Sequence, residues 1–285
     1  MTPGPIVVLI LSHRDPPQLQ RLVGRVLEGE RTIALVHHDP SGAPHGLVES
    51  DRVRLVPDPL RGAWGRPSFA RTMVESVLFA GREVPDLSWL LMISGQDYPA
   101  RHLRSIERDL AATDADALLR HFRIDPSPAP DEHPWVAVCR RRYFHRLRVP
   151  GSHRSMPMRR PSPFRAGTHL FVGDVWSNLG AGAVRHLAVQ AGRRTDISSY
   201  LARSPLPDEA LLTSLLLNDA DALAIRNERH RCIVWTQGEA HPKTLDAADM
   251  KVIAPSDFFV RKVEPGRSRQ LLALLDERAA AWATL

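Results

Sequence analysis

The sequence predicts an α/β fold in which a mainly parallel sheet is flanked by helices, organised as a single domain. Three observations predict it. Fully apolar runs at Ile6 to Leu11 and Trp89 to Ile93 read as strands buried on both faces. Amphipathic segments at helical spacing follow such runs, giving a βαβα rhythm. Polar residues then gather where the runs end, the edge at which ligands of open parallel sheets bind.

The Ile6 to Leu11 strand is followed by Asp15-Pro16-Pro17 and by Leu19, Leu22, Val23, Val26 and Leu27, which describe a turn and then a helix with proline near its start. Thr32 to Val36 reads as the second strand, ending in His37-His38-Asp39, and Val53 to Val56 as a short third one. A Gly/Pro-rich loop (57–67) leads to a helix over 68–80. Trp89 to Ile93 stops at Ser94-Gly95-Gln96-Asp97-Tyr98-Pro99, and a helix over 101–111 follows. Between Asp125 and Pro163 the rhythm is lost among prolines and a basic tract from Arg140 to Arg160, which reads as a long insertion. Regularity returns with a strand at 169–172, helices at 180–190 and 208–217, a strand at 232–235 and a last amphipathic helix at 266–282.

A chain of 285 residues with 43% hydrophobic content can bury a substantial core. Its 38 Lys+Arg against 32 Asp+Glu leave a net charge of +6, which favours anionic partners such as nucleotides and phosphorylated substrates. Cys139 and Cys232 are the only cysteines and have no ligand-like spacing, so neither a disulfide framework nor a structural zinc site is indicated. The first apolar run is too short for a membrane span and no small-residue cleavage site follows it, so a reduced, cytoplasmic setting is expected.

The chemistry-bearing residues are few. Asp208 and Glu209 head an apolar segment, where an acidic pair either complements a helix N-terminus or places a general base beside a cleft. The chain has only three lysines, Lys243, Lys251 and Lys262, in a protein that otherwise uses arginine. Lys262 with Arg261, and Lys243, read either as solvated strand-end charges or as cations that neutralise a departing diphosphate. Asp39 is either a turn residue or a contact to a nucleoside. Asp97 and Tyr98 are candidates to line a sugar site, as are Trp176 and Trp235, whose alternative is the core. The triplets Asp114-Ala115-Asp116 and Asp219-Ala220-Asp221 are not at strand exits and are rejected as metal sites. No phosphate-binding glycine loop and no G-x-S-x-G elbow is present, and Gly180-Ala181-Gly182 lacks the third glycine of a dinucleotide fingerprint.

The ordered set Leu11-Ser12-His13-Arg14-Asp15, Val36-His37-His38-Asp39, Ser94 to Pro99, Gly173-Asp174-Val175-Trp176, Pro207-Asp208-Glu209, Cys232 to Trp235, His241-Pro242-Lys243 and Phe258 to Lys262 resembles the core-2/I-branching β-1,6-N-acetylglucosaminyltransferase family, which includes peptide O-xylosyltransferases. The resemblance runs from Ile6 to Val263 and suits a compact bacterial member. It implies a GT-A-like, Rossmann-type single glycosyltransferase domain over 1–285, with 124–165 as an irregular basic insertion and 266–285 as a C-terminal helix. It implies inverting transfer from a UDP-sugar with no metal and no cofactor. Glu209 matches the catalytic base, Lys262 and Lys243 with Arg261 the diphosphate cations, and Asp39 the uridine contact. Asp97, Tyr98, Trp176, Asp208 and Trp235 are expected to line the sugar and acceptor. Gly173-Asp174 departs from a Gly-Ser pair of the family, and residues 131–163 have no counterpart.

The expected partners are a UDP-sugar and a hydroxyl-bearing acceptor, which can be a glycan, a small molecule or a lipid-linked sugar, with no nucleic acid and no transmembrane segment. N-acetylglucosamine is the first choice of donor sugar and xylose or another sugar the alternative. A non-enzymatic protein that binds nucleic acid or another anionic polymer through the 140–165 surface is the rival from a different class.

Overall fold

A computed structural model describes residues 4–152, 154–165, 167–236, 238, 239 and 241–283. In chain order the elements are β1 (Ile6–Ser12), α1 (Pro16–Val26), β2 (Thr32–His38), β3 (Val53–Leu55), α2 (Pro67–Glu83), β4 (Trp89–Ser94), β5 (Asp97–Pro99) and α3 (Leu103–Ala112). They continue with β6 (Ala117–Leu118), β7 (His121–Ile124), α4 (Pro134–Phe144), β8 (Arg146–Arg148), β9 (Ser155–Pro157), β10 (Leu170–Gly173), β11 (Asn178–Gly180), α5 (Ala181–Arg193) and α6 (Thr195–Ala202). After a 3-10 turn at Pro207–Glu209 come α7 (Leu211–Leu217), β12 (Ile225–Arg226), β13 (Arg231–Ile233), a 3-10 helix at Ala247–Val252, β14 (Phe259–Arg261) and α8 (Arg269–Ala283). The chain divides into two compact units. The first comprises Met1–Pro59, Glu83–Asp114 and Glu228–Leu285, and the second Leu60–Arg82 and Ala115–Asn227.

In the first unit β1 pairs in parallel with β2 on one side and β4 on the other, and β2 pairs in parallel with β3. Every residue of β1, β2 and β4 is buried, which is why these strands read as continuous apolar runs and not as alternating ones. Helix α1 starts with Pro16 and Pro17, whose missing N–H groups cost nothing in a first turn, and buries Leu19, Leu22, Val23 and Val26. Helix α3 contributes Glu107, 6% exposed, whose carboxylate accepts hydrogen bonds from the Glu30 and Arg31 amides and the Thr32 hydroxyl at 2.7–3.1 Å. A buried carboxylate thereby fixes the turn that feeds β2.

A second sheet of this unit joins β13, β14 and β5, with β13 parallel and β5 antiparallel to β14. Strand β5 lies in the hexapeptide that the sequence reads as a strand-end loop. Its Asp97 faces Arg261 of β14 in register, and Arg261 donates to Asp97 Oδ1 at 3.1 Å and to the Ser94 hydroxyl. Asp97 Oδ2 accepts from the Ser94 amide at 2.7 Å, and the residue is 0% exposed. Tyr98, equally buried, donates to Asp276 of α8 at 2.7 Å and accepts from Arg21 of α1 at 3.0 Å, so one phenol ties two helices to β5.

In the second unit β6 pairs in parallel with β12 and antiparallel with β11, β7 pairs with β10, and β8 with β9 form a hairpin. Asp116 seals the first of these sheets: its amide donates to Ala224 O and its carboxylate accepts from the Ala224 amide. Helix α7 is pinned to β10, the Ser214 hydroxyl bridging the N–H and C=O of Phe171, and the Asn218 side chain those of His169.

Several boundaries differ from the sequence expectations. The 124–165 insertion is not irregular; it holds α4 and the β8–β9 hairpin. His133 caps α4 by accepting from the Trp135 amide and Pro134 begins it, but the run of three arginines, Arg140 to Arg142, interrupts the apolar residues and obscures the helical stripe. The helix expected over 208–217 is split at Ala210, and α6 stands where no helix is expected. The strand expected over 232–235 ends at Ile233, and the last helix begins at Arg269, with residues 284 and 285 of the expected 266–285 helix outside the described residues.

Asp97→Ala removes the buried carboxylate that faces the Arg261 guanidinium. Asp97→Ala is therefore expected to lower the unfolding free energy by about 3–5 kcal/mol in urea titrations. A loss of less than about 1 kcal/mol would show that the pair does not hold β5 to β14.

Candidate functional site

The C-terminal edge of the parallel sheet in the first unit gathers an anion cradle. Arg14 follows β1, Gln96 follows β4 and Lys262 follows β14, and all three reach one carboxylate. Glu264 Oε1 lies 3.0 Å from Arg14 Nη2, 3.0 Å from Lys262 Nζ and 3.4 Å from Gln96 Nε2. The hydrogen bond from Lys262 is the largest effect and holds the Glu264 carboxyl below its ordinary pKa; burial, the next largest, opposes it, and the charges of Lys262 and Arg14 add to the lowering. Two cations and an amide donor on one oxygen form an arrangement that holds a negative group. Glu264 occupies it at 36% side-chain exposure, so the ion pairs are those of a protein surface.

Asp39 sits at the end of β2, 7% exposed, with Oδ1 accepting from the Ser41 amide at 2.8 Å and the Ser41 hydroxyl at 2.5 Å. This is the turn geometry the residue type favours. Beside it the buried Ser12 hydroxyl is 2.8 Å from His38 Nδ1, and His38 Nε2 is 2.8 Å from the Ala43 carbonyl.

The other residues expected in this unit are placed differently from one another. Arg261 and Asp97 neutralise each other in the interior, and Tyr98 is fully buried between Asp276 and Arg21, so neither Asp97 nor Tyr98 lines an open surface. A polar residue at a strand end satisfies a buried partner as readily as a ligand, and these two satisfy partners. Lys243 is held by both carboxylate oxygens of Asp249, at 2.7 and 2.8 Å, and Asp249 also accepts from the Asp246 amide in the capping box of the Ala247–Val252 helix. Its charge is spent on a helix start. Trp235 is 57% exposed.

In the second unit the acidic pair stands in the 3-10 turn at Pro207–Glu209, separated from α7 by the non-helical Ala210. The turn follows Leu206, which is in the left-handed region at φ 47°. Tyr143 of α4 donates from its hydroxyl to the Leu206 carbonyl at 2.7 Å, and Tyr200 of α6 donates to the Tyr143 carbonyl at 2.8 Å, so two phenols brace the turn from behind. Arg142 of α4 donates to Glu209 Oε2. Arg142 and Glu209 are 67 residues apart, and no local pattern joins them.

The two carboxyls experience different surroundings. Asp208 is 4% exposed, its Oδ1 has no hydrogen-bond partner among the described residues, and burial, reinforced by the charge of Glu209, pushes its pKa up to about 7. Burial also raises Glu209, but Arg142 pulls it back by charge and hydrogen bond while Asp174 adds to the rise. With 29% of its side chain exposed, Glu209 is the accessible member of the pair. Burial is the largest effect on Arg142 and opposes its charge, but Glu209, with Tyr143 and Cys139 adding to it, leaves the pKa raised. Trp176, 8% exposed, belongs to the interior of this unit.

Arg14, Gln96 and Arg142 are the polar side chains that sequence reasoning did not select. Arg14 and Gln96 stand inside short motifs at strand ends, which was the available signal, whereas Arg142 is one of many arginines in the basic tract. Among the described residues no group of three or more His, Cys, Asp or Glu side chains is arranged to hold a metal ion, and no helix is long and apolar enough to cross a membrane. No protein-family model and no curated protein matches the chain.

The raised carboxyl of Asp208 has a consequence for stability. The folded state keeps its proton up to about pH 7 whereas the unfolded chain releases it near 3.8. The stabilising contribution is thus complete below about pH 4 and is lost as the pH rises through 7. Asp208→Asn removes this dependence, so the stability of the variant relative to the parent should increase from acid to neutral pH when urea midpoints are compared. A difference that does not vary with pH contradicts the buried, protonated assignment.

Proposed function

We propose that the chain is an inverting glycosyltransferase that moves a sugar, N-acetylglucosamine in the first instance, from a UDP-sugar to an acceptor hydroxyl without a metal ion. The observation that supports this most is the cradle of Arg14, Lys262 and Gln96 around one carboxylate oxygen. It stands at the ligand-binding edge of a parallel sheet, and it offers fixed cations to a diphosphate. Exposed ion pairs contribute only about 0.2–1 kcal/mol, so a diphosphate displaces Glu264 at small cost. The uridine contact is assigned to Asp39. Lys243 is the weaker candidate cation, since Asp249 already holds it.

Glu209 is the proposed base. Its carboxylate takes the proton of the acceptor hydroxyl as that oxygen forms a bond to the anomeric carbon. The bond from that carbon to the diphosphate oxygen breaks in the same displacement, and its electron pair leaves on UDP, where Lys262 and Arg14 stabilise the charge. A single displacement inverts the anomeric centre. Burial suits the role because it raises the basicity of a carboxylate above that of a solvated one. Asp208, buried behind it, is assigned to shaping the turn.

Replacing Glu209 by Gln is expected to slow UDP release from UDP-N-acetylglucosamine, measured with an acceptor panel, by about 10²- to 10⁴-fold, the worth of a general base. Affinity for UDP is expected to stay unchanged. A loss smaller than about tenfold removes Glu209 from that role.

A further inference from the structure

The insertion, which the proposed reaction leaves without a task, builds a groove of about 250 Å³ lined by Val138, Arg141, Arg142, Arg146, Ser155 and Pro205. Helix α4 delivers Arg141 and Arg142 from its last turn, and the β8–β9 hairpin delivers Arg146 and Ser155. Arginines in a last helical turn are ordinarily explained by the helix dipole. That explanation does not cover Arg146, which comes from a strand.

The charges do not cancel. Arg142 is paired with Glu209, but among the described residues the Arg146 side chain is bonded only to the neutral Ser155, through the hydroxyl at 2.7 Å and the carbonyl at 2.9 Å. Arg141 is exposed and its guanidinium has no partner among the described residues. Two positive charges are therefore left uncompensated around one small groove, with Val138 and Pro205 as its apolar wall.

We propose that this groove is a binding site for a phosphate group, carried by the acceptor. A phosphomonoester brings a charge of about −1.5 to −2 at neutral pH, which matches two guanidiniums not paired with a carboxylate among the described residues, where a single carboxylate does not. Planar guanidinium forks also fit phosphate oxygens two at a time. Arg142 lines the groove and donates to Glu209, so the bound phosphate stands one guanidinium away from the carboxylate assigned as base. That link to the acceptor rests on the glycosyltransferase reading; the anion site itself does not.

Inorganic pyrophosphate, titrated by calorimetry into the full chain, its Arg141→Glu variant and its Lys262→Ala variant, tests the site. Arg141 is exposed, so its replacement leaves folding intact, which a thermal melt verifies. Binding is expected to weaken about 10- to 100-fold in Arg141→Glu, the worth of one charge-assisted hydrogen bond, and to persist in Lys262→Ala. Binding that is absent from the parent chain, or that survives Arg141→Glu undiminished, overturns the site. Loss in Lys262→Ala alone overturns it too while leaving the donor cradle standing. Competition by a sugar phosphate in solution, or by vesicles containing phosphatidic acid, then separates a soluble from a membrane-borne carrier, and competition by neither contradicts the proposal.

Discussion

The buried ion pair of Asp97 and Arg261 is the constraint on which the first unit depends. Two unlike charges removed from water are tolerated only when each is paired and hydrogen-bonded, and here the Ser94 amide and hydroxyl complete the set. The pair fixes the register of β5 on β14. Register, in turn, decides what stands next to it: Gln96 precedes Asp97, Lys262 follows Arg261, and the Val263 amide donates to the Gln96 carbonyl at 2.9 Å. A structural salt bridge in the interior thus sets the positions of two members of the surface cradle. The residues that hold an anion and the residues that hold the fold are neighbours in sequence with opposite solvent access.

The second unit makes a comparable use of burial. Asp208 and Glu209 are adjacent in one tight turn, yet one carboxyl is buried with its Oδ1 unpartnered among the described residues and the other, more exposed, meets Arg142. Environments that separate two neighbouring carboxyls are the usual means by which one fold presents a protonated and an ionised acid at the same pH. The phenols of Tyr143 and Tyr200 prevent the turn from relaxing, and α4, from the segment the sequence leaves unassigned, supplies both Tyr143 and Arg142.

Much of the first unit was legible. β1, β2 and β4 announce themselves because strands buried on both faces are apolar through their middles, with polar residues only at their ends, and α1 because its apolar stripe follows a double proline. The acidic turn and Lys262 stood out by residue type. What escaped was everything decided by long-range pairing. Nothing local tells Asp97, consumed by Arg261, from an aspartate that faces a ligand, or Lys243, held by Asp249, from a free cation. The helix α4 escaped because its apolar stripe is interrupted by arginines, and Arg142 because its partner lies 67 residues away.

Calorimetric titration of UDP with EDTA present, on the parent chain and on Lys262→Ala and Glu264→Gln, tests the central claim most directly. The account predicts saturable binding without a divalent metal, weakened by loss of Lys262 and strengthened when the competing carboxylate of Glu264 is neutralised. Binding that requires a metal, or that is indifferent to both substitutions, would contradict it.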